Sequence, residues 1–241
     1  NKIAIVDCNL QFGDIAMLMN LSPKASIADM VTDIEHLDER VLSRYMVNYR
    51  DNIHILPAPF QPEKAESVTS QHVISILDLL KKNYDYIIVD TAPVLNDMTL
   101  TVMDLSDLLL LLSAPDITTT KNIKLTLETL NTLGYDNDKI MLILNRVNSK
   151  SGLKVEEIEE SLKRAFAATL TKDGEMVITS INRGVPFVVS NSNALLSREI
   201  FSLAKVILSG NIEELLNKKN EMQSKSLFSS FKSMFTKSAS R

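Results

Sequence analysis

Acidic and amide side chains follow several apolar segments of this sequence, where they can bind a metal ion or a polar ligand. Asp7 ends the segment KIAIVD, Asp90 ends YIIVD, and Asn145 ends KIMLILN. A carboxylate at the end of a buried strand can orient water on Mg²⁺, which prefers oxygen ligands. An amide there can donate and accept at once, as recognition of an adenine edge requires. Each position alone is also typical of a helix cap or a turn.

A fourth strand end with polar residues suggests that all these side chains meet at one edge of a sheet. The segment SAPD, residues 113–116, ends a further apolar run, and residues 115–122 could form a lip over the same crevice. Four polar signals at four strand ends are much less probable by chance than any one of them. Ligands of open α/β sheets bind beyond the carboxyl ends of the strands.

The elements that position these residues alternate between strand and helix. Near-continuous apolar runs predict parallel strands covered on both faces, and apolar residues at helical spacing predict the helices between them. Predicted strands are 2–7, 52–58, 84–90, 107–114, 139–145 and 186–190; predicted helices are 69–83, 118–133, 154–165, 173–183 and 194–209. Thr69 is the predicted N-cap of the first of these helices, and Gly134 ends the second. The pattern predicts an α/β fold with a doubly wound, mostly parallel sheet flanked by helices.

Composition excludes several classes of function. The chain has 241 residues with a net charge of −4, which argues against a nucleic-acid-binding face. The single cysteine, Cys8, cannot form an internal disulfide and fits a reducing cytoplasm. The histidines are scattered at spacings that do not suit zinc, and no apolar run is long enough to cross a bilayer.

Five segments resemble, in the same order, those of the MinD/ParA-type ATPases, which are P-loop proteins with a deviant Walker A loop. The resemblance is closest to the CpaE/TadZ group of pilus-assembly and polar-localisation ATPases, and it covers residues 2 to 209. It implies an ATPase domain over 1–209. A C-terminal helix and tail would follow over 210–241. The segments are VDCNLQFGDIAMLMNL, YDYIIVDTAP, LLSAPDITTTKN, LILNR and INRGVPFVV. LQFGD is fairly specific to that branch, whereas VDTAP is shared by the superfamily.

The resemblance implies roles for individual residues. Asp90 would be the Walker B acid, and Asp7 would lie near the phosphates, both acting in catalysis and at Mg²⁺. Asn145 and Arg146 would lie at the adenine of ATP. Asp116 and Asn122 would belong to a lip that faces the partner subunit of an ATP-sandwiched homodimer; no sequence-specific contact with nucleic acid is expected.

Two departures from the family pattern bear on activity. None of the glycines is followed by lysine, so the phosphate-binding Walker A loop is absent from these residues. Because the chain begins with Asn1 directly in a strand, we expect it to be a fragment whose loop lies upstream. Asn9 stands where many relatives have Asp; an amide can position water but cannot accept its proton, so we expect ATP binding with weak turnover. Alternatively, Asn9 only shapes the turn before Gly13.

The C-terminal segment, which we call the tail, comprises residues 222–241 and contains no acidic residue. At 100° per residue its apolar side chains fall within an arc of roughly 120°, with two lysines just beyond one edge and serines on the far side. The residues of this predicted membrane-binding face are Lys225, Leu227, Phe228, Phe231, Lys232, Met234 and Phe235. Such a helix binds reversibly in a membrane interface, which predicts a cytoplasmic protein on the inner face of the cell membrane. A disordered tail and a helix that docks on a protein remain alternatives.

Three functions are compatible with these observations. The leading hypothesis is a dimerising ATPase that positions a pilus or secretion assembly at the membrane or cell pole. The second is a catalytically weak or inactive scaffold with the same fold. A septum-positioning or flagellar-number regulator of the MinD type is a further alternative, whereas a bacterial tyrosine kinase is disfavoured because the tail contains no tyrosine.

Overall fold

The computed structural model describes residues 1–50, 52–148 and 153–209. Helices alternate with mostly parallel strands, which confirms the predicted α/β class. The described chain forms two compact units, one of Asn1–Asp107 with Glu175–Ser190 and the other of Leu108–Gly174 with the residues from Asn191 onward. The predicted single domain over 1–209 stays a prediction.

The first unit contains a four-stranded sheet in the order β2-β3-β1-β4. Strand β1 is parallel to β3 and β4, whereas β2 and β3 form an antiparallel pair. Its elements are β1 (Ile3–Cys8), α1 (Ile15–Leu18), α2 (Ile27–Met30), α3 (Glu39–Tyr45), β2 (Val47–Arg50), β3 (Ile53–Leu56), α4 (Ser70–Asn83), β4 (Tyr86–Thr91) and α5 (Asp97–Leu105), with 3₁₀ turns at Val31–His36 and Pro62–Ser67.

The core of the first unit lies on one face of this sheet. Side chains alternate across a strand, so Ala4, Val6 and Cys8 of β1 point to the same face. They join one buried cluster with apolar residues of α4, including Val73 and Ile76. This packing fixes which face of β1 carries Asp7, because Asp7 points to the opposite side.

The second unit contains a three-stranded parallel sheet in the order β5-β6-β7. Its core joins Leu142 and Leu144 of β6 to Ile158 and Phe166. Its elements are β5 (Leu109–Ser113), α6 (Ile117–Thr132), β6 (Ile140–Val147), α7 (Val155–Leu162), β7 (Ala168–Thr171) and α10 (Leu195–Ser209), with a 3₁₀ turn at Asn137–Lys139. Two further helices, α8 (Gly174–Arg183) and α9 (Phe187–Ser190), lie between β7 and α10 in the sequence. Residues Glu175–Ser190 of this stretch belong to the first unit.

Two predicted helix boundaries are confirmed in detail. The Thr69 hydroxyl accepts a hydrogen bond from the His72 backbone N–H, and the His72 side chain accepts one from the Thr69 N–H, which together cap α4. Gly134 follows α6 with φ at +84°, a left-handed conformation that favours glycine.

The prediction of a strand over residues 186–190 is wrong, because Phe187–Ser190 form helix α9. The N–H groups of Val189 and Ser190 donate to the Pro186 carbonyl, so a turn begins at the proline. The β-propensity of Phe and Val is weaker than this local backbone pairing. Short elements were also missed, among them β2, β7, and α1 to α3.

Among the described residues, no helix combines the length and the apolar character needed to cross a membrane. The predicted membrane-binding residues of the tail, Lys225 to Phe235, lie outside the described residues.

Candidate functional site

Two carboxylates lie opposite each other at the carboxyl end of the first unit's sheet. Strands β1 and β4 pair in unbroken register from Ile3↔Tyr86 to Cys8↔Thr91, and this register places Asp7 beside Asp90. Residues paired across parallel strands project to the same face. The sheet therefore brings together the two acids that the sequence analysis selected.

The two carboxylates have different environments. Asp7 is 1% exposed, whereas Asp90 is exposed. Burial raises the pKa of Asp7 to about 6, against hydrogen bonds from the Ile15 and Asn9 backbone, and the charges of Asp90 and Asp14 raise it further. Desolvation also raises the pKa of Asp90, against a hydrogen bond from the Thr91 backbone. Burial is the main cause of both shifts, and two neighbouring acids with perturbed pKa values at a strand end mark a candidate functional site.

Asp7 holds the loop that follows β1. Its Oδ1 accepts a hydrogen bond from the Asn9 N–H at 3.2 Å, and its Oδ2 accepts one from the Ile15 N–H at 3.2 Å. The Asn9 side-chain Nδ2 donates to the Phe12 carbonyl at 3.0 Å, and the Phe12 N–H donates to the Asn9 carbonyl at 3.2 Å. Asn9 therefore closes the turn before Gly13, which supports the alternative that Asn9 only shapes this turn.

Gly13 has a packing role beside Asp7 that the sequence analysis did not predict. A Cβ at this position would lie 2.3 Å from the Ala58 Cβ and 2.5 Å from the Asp7 Oδ2. Neither neighbour is the end of a flexible side chain, so only glycine lets the loop approach the buried carboxylate. A glycine shortly after a strand-end acid and a turn-forming Asn was the available signal.

Next to Asp7 the first unit has a cavity of about 510 Å³. It is bounded by the loop after β1 and by the segment after β3, and we call it the Phe12–Phe60 groove. Three large apolar side chains on its rim are exposed, Phe12 by 70%, Met17 by 65% and Phe60 by 53%. None of these was selected from the sequence, because single exposed apolar residues have no pattern that distinguishes them from core residues.

In the second unit, Asn145 and Arg146 lie near the end of β6. The Asn145 Oδ1 accepts a hydrogen bond from the Arg146 N–H at 2.8 Å, and Arg146 has a left-handed φ of +59°. Arg146 is exposed. The side-chain oxygen of Asn145 thus bonds within β6, where the pairing with β7 shifts register between Leu144 and Val147, and contact of either residue with an adenine stays a prediction.

The predicted lip residues lie on or beside helix α6. Asp116 is its N-cap: Oδ1 accepts from the Thr119 N–H and Oδ2 from the Thr119 hydroxyl, both at 2.8 Å. These bonds hold the pKa of Asp116 below its usual range. Asn122 is exposed on the helix, where its carbonyl accepts from the Thr126 hydroxyl at 2.9 Å. Their predicted role at a partner subunit stays a prediction.

The structure therefore groups the predicted residues by unit. Asp7, Asn9 and Asp90 belong to the first unit and share one edge of its sheet. The others belong to the second unit, where Asn145 and Asp116 each bond to a neighbouring backbone N–H. No cluster of three or more potential metal ligands occurs among the described residues.

Comparison with known proteins gives matches in sequence and in fold. The AAA domain family (AAA_31) matches residues 1–143. The septum site-determining protein MinD of Thermotoga maritima is 22% identical over 213 residues, which cover 86% of this chain and 76% of that protein.

Two solved structures have the same fold at low identity. A ParA family ATPase from Chlorobium tepidum TLS aligns with a TM-score of 0.79 and 22% identity, covering 84% of this chain and 85% of that chain. The septum site-determining protein MinD from Pyrococcus horikoshii OT3, complexed with Mg-ADP, aligns with a TM-score of 0.73 and 18% identity, covering 88% and 86%.

Proposed function

Because this chain belongs to the AAA domain family AAA_31 and has the fold of the MinD/ParA P-loop ATPases, we propose that it forms part of an ATP-binding protein that positions a larger assembly in the cell. The superfamily inferred from the sequence is thereby confirmed. The name of the Thermotoga maritima relative, septum site-determining protein, supports a positioning role. More specifically, we propose that the protein is related to the CpaE/TadZ group and that it positions a pilus or secretion assembly.

The observation that supports nucleotide binding most directly is the pairing of Asp7 and Asp90 across β1 and β4. Asp90 is exposed at the end of β4, so its carboxylate oxygens are accessible to a hydrated Mg²⁺. In the proposed site, Asp90 orients water on that ion. Asp7 shapes the adjoining loop through its bonds to Asn9 and Ile15.

The residues present can bind the Mg²⁺ of Mg²⁺–ATP, but they do not provide a P-loop for its phosphates. A phosphate cradle of the P-loop type needs successive backbone N–H groups and a lysine after glycine, which none of the glycines of this sequence provides. The proposal therefore requires that a glycine-rich loop outside these 241 residues contribute to the site. When bound, Mg²⁺ would neutralise phosphate charge.

Isothermal titration calorimetry on the full-length protein tests this proposal. We expect Mg²⁺-dependent ATP binding that Asp90→Ala weakens at least about tenfold, since it removes a metal-orienting carboxylate. Asp78→Ala, which removes an exposed carboxylate from α4, should leave binding unchanged. Failure of the unaltered full-length protein to bind ATP would refute the proposed function.

A second candidate is a scaffold that keeps the fold but hydrolyses ATP slowly or not at all. It is favoured by Asn9, whose side chain donates to the Phe12 carbonyl. Under this alternative, phosphate release by the full-length protein is at background and Asn9→Asp raises it. Rapid release that Asp90→Ala abolishes would favour the active ATPase instead.

We further propose that the protein forms a homodimer through the lip of Asp116 and Asn122 and contacts the inner membrane surface through the tail. The exposure of Asn122 on α6 is compatible with such an interface. Sedimentation with and without ATP tests dimerisation, with Asn122→Arg expected to prevent it. Co-sedimentation with anionic vesicles tests membrane contact.

A further inference from the structure

The Phe12–Phe60 groove gathers apolar side chains on the surface of the first unit. Phe12, Met17 and Phe60 are each more than half exposed, and Leu21 lines the same cavity. Apolar side chains that are exposed singly need no explanation, whereas a cluster of them around one cavity is typical of a binding surface. The volume of about 510 Å³ also lies within the range of about 300–1,000 Å³ for pockets that hold a ligand.

Hydrogen bonds and prolines fix both walls of this groove. On one side, the Asp7 Oδ2 accepts from the Ile15 N–H and so anchors the start of α1, which carries Met17. On the other side, the Pro57 carbonyl accepts from the Ile27 N–H at 2.9 Å, and two further prolines follow along the same wall. Proline fixes the backbone angle φ. A groove that is rigid before binding loses little conformational entropy when it binds a partner.

The charged side chains that line the groove are acidic. Among the described residues they are Asp7 and Asp14, with no lysine or arginine. Asp14 is exposed at the N-cap of α1, yet its carboxylate accepts no capping hydrogen bond from that helix. Lys64, which follows the second wall in the sequence, pairs with Asp29 at 3.6 Å. The groove therefore combines apolar surface with negative charge that no cation of its lining balances.

This combination discriminates between possible occupants. Asp7 and Asp14 would repel both the phosphates of a nucleotide and the anionic headgroups of a membrane surface. A second copy that presented the same groove across a two-fold axis would bring like charges together. An apolar segment that carries lysine or arginine is complementary to both the apolar rim and the acidic side chains.

We propose that the Phe12–Phe60 groove is the docking site for a short cationic and apolar segment of a partner protein. Apolar side chains of this segment pack against Phe12, Met17 and Phe60, and one of its basic side chains pairs with Asp14. If the protein positions an assembly as proposed above, the groove gives that assembly a place to bind. The docking needs neither nucleotide nor membrane, so its failure can be distinguished from failure of the proposed function.

Fluorescence anisotropy with defined peptides tests the chemistry of the occupant. The probe is a labelled peptide of three Lys-Phe-Leu-Lys repeats, added to the full-length protein without nucleotide or lipid. We expect it to bind at least about tenfold more tightly than a peptide with glutamate for lysine, and than one with serine for phenylalanine and leucine. The proposal is wrong if the probe does not bind, or if either control peptide binds as tightly.

Photo-crosslinking locates the bound probe. A benzophenone amino acid replaces the central phenylalanine of the peptide, and mass spectrometry maps the crosslinked residues. We expect most crosslinks on the loop after β1 and on the segment after β3, which bound the groove. Crosslinks spread over the protein surface would show unspecific attraction of the cationic peptide and would overturn the proposal.

Surface variants test the apolar part of the contact. Met17→Ser and Phe60→Ser should each weaken binding of the probe at least about fivefold, because each removes an apolar side chain that the peptide covers. Leu125→Ser changes a residue of α6 that is 50% exposed and should have no effect. Circular dichroism verifies that all three variants are folded. If they bind the probe equally, the groove is not the docking site.

A charge reversal tests the electrostatic part. Asp14→Lys should weaken binding of the probe at least about fivefold and strengthen binding of the glutamate peptide. Asp78→Lys reverses an exposed carboxylate of α4, so it changes the net charge equally and should have little effect. Equal weakening by both variants would mean that net charge alone attracts the peptide, against the proposal.

Two measurements on Phe60→Ser distinguish other occupants. If sedimentation velocity shows a dimer of the full-length protein that this variant dissociates, the groove is occupied by a second copy. If vesicles of phosphatidylglycerol and phosphatidylcholine co-sediment with the unaltered protein but not with the variant, the groove contacts lipid. Either result would overturn the proposal. We expect the variant to change neither property, since the groove is assigned to a partner segment.

Discussion

At the strand ends of the first unit, Asp7 and Asp90 lie opposite each other on adjacent strands, and Asp7 is buried. At those of the second unit, Asn145 accepts from the next backbone N–H, and Asp116 accepts from Thr119 three residues later. The second arrangement pairs each polar side chain with a nearby backbone N–H and stabilises a strand irregularity or a helix start. The first buries one carboxylate beside another, at a cost that local hydrogen bonds do not remove, and is therefore a better indicator of a functional site.

The largest expected effect is that of Gly13→Ala in the first unit. The added Cβ would collide with Ala58 and with the buried Asp7 carboxylate, so the free energy of unfolding should fall by about 3 kcal/mol. Urea denaturation measures it. Gly174→Ala, where no atom lies within 4 Å of the added Cβ, should change the free energy of unfolding by less than about 0.5 kcal/mol. Equal effects would mean that the loop is not packed tightly on Asp7.

The second prediction concerns the pH dependence of stability. Because burial raises the folded-state pKa of Asp7 to about 6, the folded protein binds more protons than the unfolded chain between about pH 4 and pH 6. The free energy of unfolding should therefore fall by about 2 kcal/mol as the pH rises from 4 to 7. The raised pKa of Asp90 acts in the same direction.

Asp7→Asn provides the control for this pH dependence. The amide does not titrate, so most of the fall in stability between pH 4 and pH 7 should disappear. Asp116→Asn should leave the slope in that range nearly unchanged, because the pKa of Asp116 is lowered rather than raised. If the free energy of unfolding of the wild-type protein rises between pH 4 and pH 7, ionisation of buried Asp7 does not destabilise the fold as predicted.

A smaller effect is expected at the second unit's helix cap. Asp116→Ala removes the acceptor for both Thr119 donors and should lower the melting temperature. Asp116→Asn keeps a side-chain oxygen at the N-cap and should lower the melting temperature much less than Asp116→Ala does. Thermal unfolding of both variants provides the measurement, and a reversed order would show that Asp116 is held by something other than capping.

The smallest effect on stability is expected for Asn145→Ala, about 0.5 kcal/mol, since one local hydrogen bond to the Arg146 N–H is lost. In the full-length protein the same variant should weaken ATP binding several-fold if Asn145 contacts the adenine as proposed. Calorimetry beside urea denaturation separates the two effects. Unchanged ATP affinity would leave Asn145 with only its local hydrogen bond to the Arg146 N–H.

Much of the fold could be predicted because its signals are local. The apolar runs ending at Asp7, Asp90 and Asn145 lie in β1, β4 and β6, and the cap at Thr69 begins α4 as expected. The short elements α1 to α3 and β2 were missed because few residues define them. The segment 186–190 was assigned wrongly because Phe and Val favour strands, whereas pairing to the Pro186 carbonyl makes a helical turn.

By itself, the sequence determined the α/β class, the superfamily and the acidic and amide residues at the strand ends, since periodicity and residue type act over short distances along the chain. Only the tertiary structure decided that Asp7 faces Asp90, that Gly13 must lack a Cβ, and that Phe12, Met17 and Phe60 surround one cavity. These relations join residues far apart in the sequence. They depend on strand register and packing, which no single segment specifies.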